Sequence, residues 1–316
     1  MHSGKDDCTP QLELSTHDTK TPMRFPTSLL ILFATVLLIG CGGSAESEAD
    51  RMADEHKGEN PTATEAARAP DIPVTTDTVT YTQTEAGEPV TGYVAAPAHA
   101  DSVLRAHGMD PSSDRLPGIV VIHEWWGLND NIRTATRRLA GQGYRALAVD
   151  LYQGATASSS DSAQALMQQA MGRQEQLMSN LQDAYDYLHS EAGAPRVAVM
   201  GWCFGGGRTF DAVAAAPTQY DAAVAYYGAP GSMTPEILKK TTTPILAHFG
   251  QKDQAVSIEN ARDFQSRFEE ARAEGAIHFY DAGHAFANPS GESYVPKAAK
   301  QAWSRTTDFL ARHLYP

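Results

Sequence analysis

Short apolar runs alternate along most of this chain with longer stretches in which apolar residues recur every three or four positions, the two periodicities of strands and of half-buried helices. Thr78 to Thr84 and Val90 to Ala95 read as an antiparallel strand pair, followed by a polar stretch, Ala98 to Leu116, expected to be an irregular insertion. Strands are then expected at Ile119 to Ile122, Tyr144 to Val149, Val197 to Met200, Ala222 to Tyr226, Ile245 to Phe249 and Ile277 to Tyr280. Helical patterns intervene at Asn131 to Gly141, Ser160 to Glu191 (one long or broken segment), Arg208 to Ala216 and Asn260 to Ala273, and Val295 to His313 closes the chain. Such alternation predicts an α/β fold, a mostly parallel sheet flanked by helices on both faces, with its site at the carboxyl ends of the strands.

The front of the chain breaks this pattern. Met23-Arg24-Phe25-Pro26-Thr27-Ser28 precedes an almost continuous apolar run from Leu29 to Ile39, then Gly40 and Cys41. A positive start, an apolar stretch of ~10 residues and a small residue before the cut describe a secretory signal. The run is too short for a comfortable membrane-spanning helix of about 20 residues. Leu38-Ile39-Gly40-Cys41 resembles a bacterial lipobox, which makes Cys41 the expected lipidated N-terminus and lipid the only expected membrane attachment. Gly42 in place of aspartate favours sorting to the outer membrane, on the periplasmic route. Residues 1–22 are polar and sit before the signal, as a mis-assigned start would leave them; 23–40 are the signal. Residues 41–73, small, polar and acidic, are expected to be a flexible tether that cannot bury enough apolar surface to fold. Residues 74–316 form the expected domain, of a size that supports a substantial core.

The chain of 316 residues carries a net charge of −13 with no lysine/arginine cluster, which argues against a nucleic-acid partner or charge-driven binding to anionic lipid. Its three cysteines are Cys8, Cys41 and Cys203. With the first two lost to mis-assignment and lipidation, Cys203 has no partner for an intrachain disulfide and stands open to oxidation if exposed. Nothing in the pattern gives the oligomeric state.

Cys203 is where chemistry concentrates. Gly201-Trp202-Cys203-Phe204-Gly205-Gly206 joins the strand Val197 to Met200 to a helix, the setting of a nucleophile elbow with cysteine at the reactive position. Asp253, just past the strand Ile245 to Phe249, can orient an imidazole, or else cap the helix that follows. His284, on a loop after the strand ending at Tyr280, supplies the base. The order nucleophile, acid, histidine is that of triads on such sheets. An oxyanion would be held by the backbone N–H of Phe204 and by one at or near Trp125, in the loop His123-Glu124-Trp125-Trp126-Gly127 after the strand Gly118 to Ile122.

Taken with Asp150-Leu151-Tyr152, Tyr226-Tyr227-Gly228, Gly250-Gln251-Lys252-Asp253 and Ala282-Gly283-His284-Ala285-Phe286-Ala287, these stretches resemble the dienelactone hydrolase family, the cysteine branch of the α/β-hydrolases, from about Val90 to Leu314. The resemblance implies an ester or lactone substrate, no cofactor, and a Cys203–His284–Asp253 triad. It also implies that Glu124 contacts the resting thiol and is displaced by substrate. Trp126 and Tyr152 are expected to line the cleft. In the family a substrate carboxylate is clamped by two arginines, one four residues after the catalytic histidine. Asn288 stands there, and no arginine lies between Arg145 and Arg173. An amide does not replace bidentate guanidinium binding, so a neutral or less acidic ester or lactone is expected, with Asn288 at the substrate.

Three other readings fit the sequence less well. A metal site at His123, Glu124 and His248 lacks paired ligand spacing, so no metal is expected. A silent binding module on the same scaffold is possible because fold does not fix function; retention of Cys203, Asp253, His284 and Glu124 together argues against it. A serine esterase is disfavoured because neither Ser232 nor Ser257 has the glycine frame.

Overall fold

The computed structural model describes residues 47–57 and 69–316. The expected signal, the lipidation position Cys41 and the polar residues 1–22 lie outside the described residues. No described helix is long and apolar enough to cross a membrane.

The first described element is a helix, α1 (Glu48–Glu55). It falls inside the stretch expected to be a flexible tether, and for residues 47–57 that expectation is corrected. Ser47 and Asp50 cap it reciprocally: the Ser47 side chain accepts from the Asp50 N–H at 3.2 Å, and Asp50 accepts from the Ser47 N–H at 3.2 Å. Ala49 and Met52 are buried, and with Ala53 and His56 they fall at positions one, four, five and eight of a single helical stripe. The segment folds because it lays this stripe on the domain, which composition alone does not reveal.

The domain proper begins with β1 (Val74–Gln83) and β2 (Pro89–Pro97), an antiparallel pair as expected. A short helix, α2 (Ala100–Ala106), orders the start of the stretch read as an irregular insertion. Then follow β3 (Gly118–Ile122), α3 (Asp130–Gly141), β4 (Arg145–Ala148), α4 (Ser160–Met171) and α5 (Gln174–Asp186). The last turn of α5 widens into a π-helix over Tyr187–Glu191, so the long helical segment is broken twice. The chain continues through β5 (Val197–Trp202), α6 (Phe204–Ala215), β6 (Ala222–Tyr226), α7 (Pro235–Lys240), β7 (Ile245–Gly250), α8 (Ile258–Ala271), β8 (Gly275–Tyr280) and α9 (Pro296–Leu314).

The eight strands form one sheet in the order β1-β2-β4-β3-β5-β6-β7-β8, parallel from β4 to β8. After β3 the chain first adds β4 on one side and then β5 on the other. That reversal leaves the loops after β3 and β5 side by side, the crevice in which open α/β sheets hold their ligands. Strands β3, β5 and β6 are buried along their whole length, which explains their unbroken apolar runs.

Close backbone crossings fix this crevice. A Cβ on Gly201 would lie 2.4 Å from the Gly205 backbone, and one on Gly205 would lie 2.4 Å from the Ile122 carbonyl oxygen. Only glycine lets β5, α6 and the end of β3 meet so closely. Gly205→Ala is therefore expected to cost about 2–3 kcal/mol, read as a lower midpoint in urea unfolding; an unchanged midpoint would mean the crossing is looser than described here.

Candidate active site

Each strand end in the crevice delivers one chemical group. β5 ends at the turn that carries Cys203, whose φ of 56° and ψ of −119° put a non-glycine residue in the left-handed half of conformational space. Such strain costs on the order of 1–3 kcal/mol and persists only where the surroundings enforce it; here the glycine crossings do. Helix α6 begins at the next residue, so the Phe204 N–H opens a first turn without an intrahelical acceptor.

His284, beyond β8, is fully buried, and its Nδ1–H donates to Asp253 Oδ2 at 2.8 Å. The other Asp253 oxygen accepts from the Val256 N–H at 2.7 Å. Ser257, not Asp253, caps α8, accepting from the Asn260 N–H at 3.3 Å. With Nδ1 engaged by Asp253, Nε2 is the ring atom left for chemistry. Burial pushes the Cys203 thiol up, but the charge of His284 and hydrogen bonds from His284 and His56 outweigh it and bring the thiol down to about 7. Burial opposes a charged His284; the charges of Asp253 and Cys203 and its hydrogen bonds to both hold it well above the usual histidine range. The structure thus favours a thiolate–imidazolium pair.

The loop after β3 is set by a second histidine. The Leu151 N–H donates to His123 Nε2 at 3.2 Å, so Nδ1 carries the hydrogen and donates to the Glu124 carbonyl oxygen at 2.6 Å. Burial pushes His123 down, in keeping with this neutral ring. His248 is likewise engaged through both nitrogens, by Tyr280 and Thr306. Neither histidine is placed as a metal ligand.

The Glu124 side chain accepts from Asn288 Nδ2 at 2.8 Å and, at the outer limit of hydrogen bonding, from the Tyr227 hydroxyl at 3.5 Å. The groups against the thiol are Met52, His56 and His284. Tyr227 was not singled out from the sequence as a site residue. It is fully buried at the end of β6, its φ is 39°, its ring centroid lies 5.0 Å from that of His284, and the charges of both Glu124 and Cys203 act on its hydroxyl. Its sequence signals were its place immediately after a buried strand and its membership of the Tyr226-Tyr227-Gly228 stretch.

Beside Glu124 opens a cavity of about 90 Å³ walled by Asn131, Ile132, Trp202, Tyr226, Tyr227 and Asn288, among others. Asn288 lines this cavity and is held there by Asn131 and Ser290. Trp126 and Tyr152 are not on this wall. Trp126 packs toward His56, with ring centroids 6.2 Å apart, and Tyr152 packs on His123 and Phe204.

The model of the dienelactone hydrolase family matches residues 104–314. The chain belongs to the dienelactone hydrolase family. A carboxymethylenebutenolidase from Pseudomonas sp. (strain P51) is 31% identical over 215 residues, covering 66% of this chain and 89% of its own. A Klebsiella pneumoniae protein assigned as a dienelactone hydrolase has a crystal structure that superposes with a TM-score of 0.63 at 26% identity, over 76% of this chain and 99% of its own. A dienelactone hydrolase-like promiscuous phosphotriesterase from metagenomic libraries superposes with a TM-score of 0.64 at 22% identity, over 77% and 99%, a likeness of fold alone. The chain is accordingly an α/β-hydrolase and a carboxylic ester hydrolase.

In this family member Cys203 is roofed by α1. Cys203 is 1% exposed, and Met52 Sδ lies 3.4 Å from its Sγ. Four polar contacts hold the helix: Glu48 with Arg208 at 3.9 Å, Arg51 Nε to the Ala255 carbonyl at 3.1 Å, Gln164 to Asp50 at 2.7 Å, and Ser160 Oγ to the His56 carbonyl at 2.8 Å. With the helix in place the sulfur is closed to solvent. Met52→Glu, which would bury an unpaired carboxylate, is expected to expel α1 and to speed alkylation of Cys203 by iodoacetamide by at least about tenfold, followed by mass spectrometry of the Cys203 peptide. Equal rates would show that α1 does not gate the thiol.

Proposed function

We propose that this hydrolase cleaves a neutral or weakly acidic ester or lactone through an acyl-thioester on Cys203. The observation that carries the reading is the buried chain Asp253–His284–Cys203, with Asp253 bonded to Nδ1 at 2.8 Å and the thiol brought down to about 7. The thiolate attacks the carbonyl carbon, and the N–H groups of Phe204 and Trp125 receive the developing oxyanion. His284 gives its Nε2 proton to the departing alcohol. It then takes a proton from water, which attacks the thioester and releases the acid and the thiolate, restoring the ion pair. Asp253 keeps the imidazole in the required tautomer throughout.

The cavity beside Glu124 supports a substrate with an apolar body: Ile132, Trp202, Tyr226 and Tyr227 offer hydrocarbon and ring faces, Asn288 offers an amide already bonded to Glu124, and Arg138 and Lys300 add two cations to the lining. Substrate entering from this side meets Glu124 before Cys203, which fits a carboxylate displaced on binding. Trp126 and Tyr152, packed toward α1 and the elbow, come to substrate only when α1 has moved. The carboxymethylenebutenolidase name of the Pseudomonas relative supports lactone chemistry, and the loss of the arginine clamp supports a different lactone or ester. The silent binding module finds no observation in its favour. Export and lipid anchoring at Cys41, with an envelope location, complete the reading and rest on Leu38-Ile39-Gly40-Cys41.

Hydrolysis of p-nitrophenyl acetate should depend on the thiol and disappear in Cys203→Ala, while dienelactone is turned over poorly. Vigorous dienelactone hydrolysis that Asn288→Ala abolishes would overturn the substrate assignment. Asp253→Asn should keep the fold and lose roughly a hundred- to ten-thousand-fold in kcat, measured with the same ester; full activity would remove Asp253 from the mechanism.

A further inference from the structure

The roof over Cys203 brings a third chemical group to the nucleophile. His56, one residue past α1, is buried, with its ring centroid 5.3 Å from that of His284 and 5.1 Å from that of Trp125. A ring nitrogen of His56, the Cys203 sulfur and a ring nitrogen of His284 all lie within 4.8 Å of one another. Among the described residues this is the one such group able to converge on a metal ion. Met52 adds a thioether, its sulfur 3.4 Å from Sγ.

We propose that Cys203, His284 and His56, with Met52 as a weaker fourth ligand, form a soft-metal site that holds α1 over the nucleophile, and that copper is the ion it fits best. The donor set carries the assignment. One thiolate and two imidazoles suit both zinc and copper, but a thioether beside them favours copper, because a His₂Cys site with a distant methionine is a copper arrangement. Ligand bonds of about 2.0–2.3 Å require the three donors to close by roughly an ångström, within reach of side-chain rotation. The support for one ligand is already built: Asp253 holds His284 by Nδ1, as a carboxylate commonly holds a metal-bound imidazole, and leaves Nε2 for the ion. On binding, the Cys203–His284 pair gives up one proton to solvent and the sulfur binds as thiolate.

The consequence is a joint lock. The ion takes both the nucleophile and the base, and through His56 it ties down the segment that covers them. Hydrolysis stops, and the thiol is shielded from oxidation.

The test uses the full chain, freshly reduced under nitrogen. Cu⁺ binding is measured by competition with a chromophoric Cu⁺ chelator, Zn²⁺ binding by calorimetry, and Co²⁺ by its thiolate-to-metal charge-transfer absorption. The proposal expects one equivalent of Cu⁺ lost in Cys203→Ser, weakened at least about tenfold in His56→Gln, and weakened in Met52→Leu with Zn²⁺ little changed. The Co²⁺ thiolate band should also vanish in His56→Gln. Sites at other cysteines give the same background in every variant and cancel. Binding that is equal in the wild type and His56→Gln overturns the site; Zn²⁺ bound in preference to Cu⁺, with Met52→Leu silent, overturns the copper assignment. None of these readouts uses turnover. Loss of the proposed esterase reading would leave them standing, and their failure would leave ester hydrolysis untouched.

Discussion

The crossing of β5 and α6 over the end of β3 is the constraint on which the site rests. Gly201, Gly205 and the Ile122 carbonyl meet at distances that no Cβ survives, and this contact leaves Cys203 its positive φ. A residue there cannot relax into the helix or the strand, so its side chain stands at the sheet's carboxyl edge. The same crossing sets the loop after β3 beside it: a Cβ on Gly205 would lie 2.5 Å from the carbonyl oxygen of His123, the residue before Glu124. Gly206 extends the constraint: a Cβ on it would lie 2.5 Å from the Tyr226 carbonyl oxygen, and β6 is thereby drawn in until Tyr227 reaches Glu124.

Burial decides the electrostatics. A thiol and an imidazole removed from water would each be neutral if alone, because desolvation disfavours charge on either. They ionise together because each is the other's counter-ion and Asp253 supplies a further negative charge behind His284. The pair is therefore sensitive to any group that approaches it from the open side. In this structure that side is filled by α1, whose His56 adds its own hydrogen bond to the thiol.

The strands and the grouping of Cys203, Asp253 and His284 were legible because their signals are local. Buried parallel strands are apolar runs, and Cys203, Asp253 and His284 each follow one. The glycine frame around Cys203 is readable for the same reason, as the crossing needs glycine at fixed offsets. Three features were not legible. Helix α1 has a charged composition, and its stripe of Ala49, Met52, Ala53 and His56 gains meaning only against the surface it covers. Its first acid, Glu48, counted as solvating charge, is in fact drawn in against Arg208, and burial raises it. Helix α2 was hidden by the turn residues that follow it, Gly108 and Pro111 among them. Trp126 and Tyr152 pack toward His56 and toward His123 and Phe204 rather than on the wall of the cavity beside Glu124, because adjacency to a site residue does not say which way a side chain packs.

Closure by α1 rests on a small set of contacts. Full burial of a methionine side chain contributes ~1.5–3 kcal/mol, and the part-buried hydrogen bonds of Asp50 and Arg51 add to it. Against this stands the entropy lost in ordering the helix backbone, only partly offset by its own hydrogen bonds and its Ser47 cap. A helix this short is marginal in isolation, so it stays on the domain only while its stripe is buried there. Such a roof can open for substrate without a large barrier in free energy. It is also easily biased, because an ion present at a hundred times its Kd and bound only to the closed form adds about 2.7 kcal/mol, an amount comparable to everything Met52 contributes. A cover with little stability of its own thus makes the site's accessibility a question of what else binds between His56 and Cys203.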